Sequence, residues 1–260
     1  MQLELEVGAD HANVVHESIP EYKRLAERLG VNVRVVHANP NKNIASEDEA
    51  VRRDGIEYSK KAVDVAKALG GDRVVIHPGY EFVDEAYRKR FPDHGTFEKA
   101  AESIAEIAEY AQPSGIKLCL ENLPHEGAIG SSPERLSKMI NLAREKCSSK
   151  SMGKLIGATI DIGHLNTTKY GVGEYIDALN HGCDIYHTHL HYNHGKSDEH
   201  LPMVGVDPVW ESKLRELGNG LTGRATNTME IHSLGEDDVV GSIDTLYKNK
   251  YFKGHNSPSK

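Results

Sequence analysis

Short apolar segments rich in β-branched residues alternate with amphipathic helical segments along nearly the whole chain. The pattern predicts seven strands, at residues 3–7, 31–36, 73–76, 117–120, 156–160, 185–191 and 226–229. A helical segment follows each strand, and these segments lie at residues 19–29, 47–69, 97–111, 133–147, 172–179, 208–217 and 237–249. Ser132 is the expected N-cap of the fourth helix, and Gly70 with Gly71 is expected to end the second. Strands joined through helices must run parallel and are connected by right-handed crossovers. The alternation therefore predicts an α/β fold built on one parallel sheet.

Two architectures fit this order, a TIM-type (β/α) barrel and a doubly wound sheet. No glycine-rich phosphate turn follows the first strand, which favours the barrel. A closed barrel has eight strands, so the sequence shows one strand fewer than a closed barrel needs. An incomplete barrel would leave an unpaired edge on its first and last strands. We predict one domain over residues 1–252 and a disordered polar tail at 253–260.

The composition limits the classes of function. The 260 residues carry a net charge of −8, which counts weakly against binding to a phosphate backbone. No run approaches 18 apolar residues and the start MQLELEVGAD lacks the features of a signal peptide, so we expect no membrane span and no export. Cys119, Cys147 and Cys183 are far apart and read as reduced thiols. Together these features predict a cytoplasmic protein.

Ligand-type side chains stand at the carboxyl ends of six different predicted strands, where a barrel builds its active site. These residues are His37, His77, Glu121, Asp161, His189 and Glu230, and three more follow in the adjoining loops, His164, Asp198 and His200. One carboxylate at a strand end is commonly a helix cap, but six strand ends in succession predict a metal site. Nine ligands suit two or three metal ions that share carboxylates, whereas Glu121, Asp161, His189 and Glu230 alone suffice for one.

Five motifs carry a resemblance to a known family. They are HPG at 77–79, ENLP at 121–124, IDIGH at 160–164, HLHYNHGKSDEHLP at 189–202 and MEIH at 229–232. They resemble the xylose-isomerase-like TIM-barrel superfamily, which contains endonuclease IV (family-two AP endonucleases) and the sugar phosphate isomerases and epimerases. The nine residues match the trinuclear zinc site of endonuclease IV. Glu121, Asp161, His189 and Glu230 match the single-metal site of the ketose epimerases, where the two glutamates are also the catalytic acid and base.

The resemblance also bears on the eighth strand. Family members open with a strand and a helix before the segment that aligns with residues 3–29. The resemblance therefore implies that the first β/α unit is missing, either because the gene start is set too far downstream or because the barrel is incomplete.

Departures from the endonuclease pattern favour the isomerase branch. Pro40 stands where endonuclease IV has a tyrosine that enters the DNA, and the loop at residues 8–13 has neither arginine nor an aromatic residue. The resemblance thus implies a metal-dependent enzyme that isomerises or epimerises a small sugar or polyol, with or without a phosphate group. The alternative is a zinc-dependent AP endonuclease or phosphodiesterase of the endonuclease IV type. A third hypothesis is a barrel that binds metal or ligand without turnover.

The implied cofactors are one to three divalent metal ions per chain, with zinc favoured and manganese or iron also compatible with these ligands. The implied partner is a small sugar or sugar phosphate, and nucleic acid is disfavoured. His232 and Lys196 are candidate substrate contacts beside the ligand motifs. His187 and His191, on either side of His189, are expected to pack or to hydrogen-bond to metal ligands.

Overall fold

Seven parallel strands hydrogen-bond to one another in the order of the sequence. The computed structural model describes residues 2–6, 12–81, 95–125, 127–221, 225–232, 235–248 and 251. The strands are β1 (Gln2–Glu6), β2 (Asn32–His37), β3 (Arg73–Ile76), β4 (Lys117–Glu121), β5 (Ile156–Asp161), β6 (Ile185–Leu190) and β7 (Thr226–Met229). They form a nearly closed TIM barrel with flanking helices, as the alternation of segments predicted.

Helices connect the strands and cover the outside of the sheet. They are α1 (Ala12–Leu29), α2 (Glu49–Leu69), α3 (Phe97–Ala111), α4 (Pro133–Lys146), α5 (Lys150–Gly153), α6 (Ile162–Asn166), α7 (Val172–Ala178), α8 (Pro208–Gly220) and α9 (Glu236–Lys248). Local chemistry sets several boundaries. The predicted cap Ser132 accepts a hydrogen bond from the Arg135 amide at the start of α4. Gly70 ends α2 in the left-handed conformation, with φ of 78°.

The barrel has two strand edges in the part of the chain that the structure describes. There β1 pairs only with β2, and β7 pairs only with β6. This matches the expectation of seven strands with unpaired first and last edges. The predicted tail at 253–260 and most of the loop at 8–13 lie outside the described residues.

Strand periodicity separates an outer apolar layer from an inner layer. Val36, Val74 and Leu118 face outward into the main core between sheet and helices. Val35, Val75 and Cys119 face the opposite way and form a small cluster inside the barrel. Because side chains on one face of a strand recur every second residue, the next inward positions are His37, His77 and Glu121. Along β2, β3 and β4 the barrel interior thus changes from an apolar residue to a ligand-type residue in one step.

Two short helices were not predicted, and α1 begins seven residues before its predicted start. α1 begins at Ala12, where the apolar spacing predicted a start at residue 19. α5 and α6 are four and five residues long, too short to show a periodic pattern in the sequence. α6 forms because the Asp161 side chain accepts a hydrogen bond from the His164 amide at 2.7 Å and caps it. Among the described residues, the helices are all too short or too polar to cross a membrane.

The ion cluster between α2 and α3 gives a pH-dependent contribution to stability. Hydrogen bonds from Arg53 lower the pKa of Glu106 to about 2, with partial burial opposing them and Lys60 adding a further bond at 2.8 Å. A lowered folded-state pKa stabilises the protein above the unfolded value of roughly 4.3, and this contribution disappears as the pH falls towards 2.

We therefore expect Glu106→Gln to lower the free energy of unfolding at pH 7 by less than about 1 kcal/mol, because these side chains are half exposed and screened. The difference from wild type should shrink as the pH falls below about 4. Urea unfolding between pH 7 and pH 3 measures it, with Glu109→Gln on the exposed face of α3 as the control. A difference that stays constant over this range would contradict the assignment.

Candidate metal centre

The predicted ligands converge at the carboxyl ends of the strands, in two clusters. The first, here called the four-strand cluster, consists of Glu121, Asp161, His189 and Glu230, each offering one ligand atom within 4.8 Å of the others. His189 Nδ1 lies 3.1 Å from Glu121 Oε1, 3.1 Å from Glu230 Oε2 and 3.7 Å from Asp161 Oδ2. These residues come from β4, β5, β6 and the end of β7, so four strands contribute one ligand each.

Glu121 lies between two sets of imidazoles. Its Oε1 faces His189, while its Oε2 lies 3.0 Å from His37 Nε2 and 3.2 Å from His77 Nε2. The side chain is only 1% exposed, so burial would raise its pKa. Attraction to His189, with hydrogen bonds from His189, His37 and His77, instead holds the pKa of Glu121 well below its usual value. Glu121 is therefore an ionised carboxylate inside the barrel.

The asparagine of the ENLP motif fixes the position of the next ligand. Asn122 Oδ1 accepts a hydrogen bond from the Asp161 amide at 2.7 Å, and Asn122 Nδ2 donates to the Asp161 carbonyl oxygen at 3.0 Å. This pair of bonds joins the ends of β4 and β5 and sets Asp161 beside Glu121. Burial opposes ionisation of Asp161, but attraction to His164 and His191 lowers its pKa below the ordinary value.

The second cluster, here called the histidine cluster, consists of His164, His191, Asp198 and His200. His164 Nε2 and His200 Nε2 each lie 3.1 Å from Asp198 Oδ2, and His191 Nε2 lies 3.5 Å from Asp198 Oδ1. A tetrahedron of ligands at the usual zinc distances has edges of about 3.3 Å. His200 adopts the left-handed backbone conformation, with φ of 50°, which is uncommon for this residue type and concentrates at functional sites.

Main-chain carbonyl oxygens orient three of the imidazoles. The Nδ1–H groups of His37, His164 and His200 donate to the carbonyl oxygens of Ala38, Asn122 and Glu230, at 2.7, 2.8 and 2.8 Å. Each ring therefore presents Nε2 to a cluster. A ligand histidine typically has such an acceptor on its other nitrogen, because the acceptor fixes the tautomer and the ring orientation.

The four-strand cluster fits a divalent cation by its own chemistry. Glu230 Oε2 is buried without a hydrogen-bond partner in the described part of the chain. His189 Nδ1 is 3.1 Å away but faces Glu121 Oε1 at the same distance, and one nitrogen cannot donate fully to both. Three buried or half-buried carboxylates around one imidazole are hard-oxygen and nitrogen ligands of the kind that zinc, manganese and iron accept. A cation would satisfy the oxygen that the protein leaves without a partner.

Two residues at these clusters were given no ligand role in the sequence analysis. Glu4 on β1 reaches His187 and His189 inside the barrel. His191 lies 3.0 Å from Asp161 Oδ1, which agrees with the expected hydrogen bonding to a metal ligand, and it also faces Asp198. The position of Glu4 in the strand could have indicated its role. Leu5 packs against the outer core, so the side chain of the adjacent Glu4 must point into the barrel.

The candidate substrate contacts lie outside both clusters. The exposed His232 ring stacks on His200, with ring centres 4.3 Å apart and an angle of 11° between the planes. The stacked rings of His200 and His232 therefore extend from the histidine cluster to the surface. Lys196 is exposed in the loop between β6 and α8, two residues before Asp198.

Comparison with known proteins agrees with this geometry. Residues 3–247 match the family model described as the xylose isomerase-like TIM barrel. The chain belongs to the xylose isomerase-like TIM-barrel family. An uncharacterized protein of Methanocaldococcus jannaschii, MJ1311, is 34% identical over 215 residues, which cover 78% of this chain and 66% of that protein. Fructoselysine 3-epimerase of Shigella flexneri is 26% identical over 71% of this chain and 62% of its own length.

Solved structures of this family share the architecture. The crystal structure of a D-tagatose 3-epimerase-like protein superposes with a TM-score of 0.73 and 29% identity, covering 96% of this chain and 87% of that one. The barrel predicted from the sequence is thus the fold of this xylose isomerase-like family member. The matches span only about two thirds of the two curated relatives.

The glycine of the IDIGH motif makes room for the histidine cluster. A Cβ on Gly163 would lie 1.8 Å from His191 Cε1, far inside contact distance. We expect Gly163→Ala to push the His191 ring away from Asp161 and to destabilise the protein by about 1–3 kcal/mol. Urea unfolding measures the loss. Gly153→Ala is the matched control, because its Cβ would meet Arg144 only at 3.4 Å. Equal stability of the two variants would show that the ring has space to move.

Proposed function

We propose that the protein isomerises or epimerises a small sugar, with or without a phosphate group, using a divalent metal ion at the four-strand cluster. The observation that carries the proposal is the approach of two glutamates, Glu121 and Glu230, to the same nitrogen of His189, each at 3.1 Å. They come from strands β4 and β7, three places apart in the sheet. The similarity to fructoselysine 3-epimerase and to the D-tagatose 3-epimerase-like protein supports a sugar as substrate.

Glu121, Asp161, His189 and Glu230 would hold the metal, which when bound polarises the sugar carbonyl and its neighbouring hydroxyl. The protein supplies the acid and the base. One glutamate removes the proton from the carbon beside the carbonyl, and the other returns a proton to the opposite face, which inverts that carbon. Glu230, with 30% of its side chain exposed, opens towards the mouth of the barrel.

Two surface residues beside the histidine cluster are the proposed substrate contacts. His232 lies exposed at the mouth on top of His200, where its ring can contact a sugar. Lys196 can meet a phosphate group, since a lysine ammonium is a mobile point charge on a long side chain.

A second function, metal-dependent hydrolysis of a phosphodiester such as that at an abasic site, is favoured by one observation. The histidine cluster, together with His37 and His77 at Glu121 Oε2, offers more ligands than one ion needs. Clusters of two or more metals can stabilise both the attacking and the leaving oxygen of a phosphoryl displacement. We rank this function second, because Pro40 and the first loop lack the groups that would enter DNA.

Exchange of substrate hydrogen with solvent tests the first function directly. Metal-loaded protein in D₂O is incubated with a panel of ketoses and ketose phosphates, and deuterium uptake beside the carbonyl is followed by ¹H NMR. We expect uptake at one carbon of at least one sugar, and Glu121→Gln or Glu230→Gln should slow it roughly 10²–10⁴-fold. Glu236→Gln, in the exposed first turn of α9, is the matched control. If no sugar takes up deuterium and the protein instead cleaves an abasic duplex, the first function is wrong and the second is correct.

Metal content tests the histidine cluster separately. We expect Asp198→Asn to lower the number of metal ions per chain by one relative to wild type, because it removes the carboxylate that lies between the Nε2 atoms of His164, His191 and His200. Elemental analysis of freshly purified protein measures the number. Asp207→Asn, an exposed helix cap in the same loop, controls for loss of charge. An unchanged metal count in Asp198→Asn would mean that this cluster holds no ion.

A further inference from the structure

A buried glutamate inside the barrel has no part in the function proposed above. Glu4 lies on β1 with its side chain only 9% exposed, and it is paired in register with Val35 of the inward layer. Its Oε2 lies 3.0 Å from His187 Nε2, and its Oε1 lies 3.1 Å from His189 Nε2. Both imidazoles are on β6, across the barrel interior. A carboxylate this buried requires compensation, and these two rings provide it.

The His189 ring presents Nδ1 to the ligands, whereas three other imidazoles at the site present Nε2. His37, His164 and His200 donate Nδ1–H to main-chain carbonyl oxygens and turn Nε2 towards a cluster. His189 turns Nδ1 towards Glu121 and Glu230, so its remaining nitrogen is the one that faces Glu4. In the described part of the chain, Glu4 Oε1 is the acceptor at that nitrogen. Glu4 therefore takes the place that a carbonyl oxygen has for the other three rings.

We propose that Glu4 is a positioning residue for the metal centre: its carboxylate accepts the Nε2–H of His189, so that Nδ1 is the nitrogen that gives up its proton to a metal ion and faces the four-strand cluster. The inference rests on the proposed function, since it assumes a metal ion at His189. A carboxylate behind a ligand imidazole fixes its tautomer and orientation and raises its basicity, and loss of such a partner typically weakens metal binding 10–100-fold.

His187 holds Glu4 in this role. It donates Nε2–H to the other oxygen of Glu4, while its Nδ1 accepts from the Thr226 hydroxyl at 2.7 Å on β7. Glu4 thus has one imidazole on each carboxylate oxygen, and both of its oxygens are engaged inside the barrel. The chain of contacts Thr226–His187–Glu4–His189 thus connects both edge strands to the metal centre.

The experiment measures the dissociation constant for Co²⁺ by titration of metal-free protein, in wild type, Glu4→Gln and Glu4→Leu. We expect Glu4→Leu to bind roughly 10–100-fold more weakly, because no acceptor remains behind His189. Glu4→Gln keeps one amide oxygen as an acceptor and should lie between the two. Glu27→Leu, an exposed glutamate on α1 away from the barrel interior, is the control and should bind as wild type does. His187→Gln, which leaves the Glu4–His189 contact in place, should weaken binding less than Glu4→Leu.

A second readout addresses the ring nitrogens and needs no variant. In ¹⁵N-labelled wild type loaded with ¹¹³Cd²⁺, we expect coupling of cadmium to Nδ1 of His189 and a proton on its Nε2. Coupling to Nε2, or Co²⁺ affinity in Glu4→Leu equal to wild type, would overturn the role of Glu4. If wild type binds no divalent metal, the proposed function itself fails, and the two failures are thereby distinguished. Should Glu4→Leu not fold, Glu4→Gln and the cadmium spectrum still decide.

Discussion

Burial of charge at the upper layer of the barrel is the constraint on which the site depends. Glu121 and Asp161 are almost fully buried, and an ionised carboxylate in such a place is costly unless positive or donating groups surround it. The protein provides imidazoles from β2, from the loop after β3, and from α6 and β6, and their contacts hold both carboxyl groups ionised. Since imidazoles that accept protons also accept metals, the same arrangement that compensates the carboxylates is prepared for a divalent cation.

The parallel barrel makes this concentration of charge possible. Each inward position along a strand is followed two residues later by another, so an apolar floor of Val35, Val75 and Cys119 leads directly to His37, His77 and Glu121. The two side-chain hydrogen bonds of Asn122 then join the ends of the neighbouring strands β4 and β5.

The two clusters offer different sets of ligands, which suit different roles of a bound metal ion. The four-strand cluster has two glutamates, and Glu230 Oε2 has no hydrogen-bond partner among the described residues, which suits a cation that must share its coordination with a substrate. The histidine cluster has three imidazoles around one partly exposed carboxylate, a set that can surround an ion with protein ligands alone. Asp161 touches His191 of the second cluster and belongs to the first, so the two are in direct contact. In the function proposed above, the first cluster is the place of chemistry.

The sequence alone determined the strand order, the family and the residues at the strand ends, because hydrophobic periodicity and ligand type are local properties. It also predicted the N-cap Ser132 and the C-cap Gly70. Only the tertiary structure decided which nitrogen of each histidine faces a cluster, that His191 reaches both Asp161 and Asp198, and that Glu4 lies behind His189, 185 residues away. These facts depend on the distance between strands in space and on the tilt of side chains into the barrel, and no spacing along the chain records either.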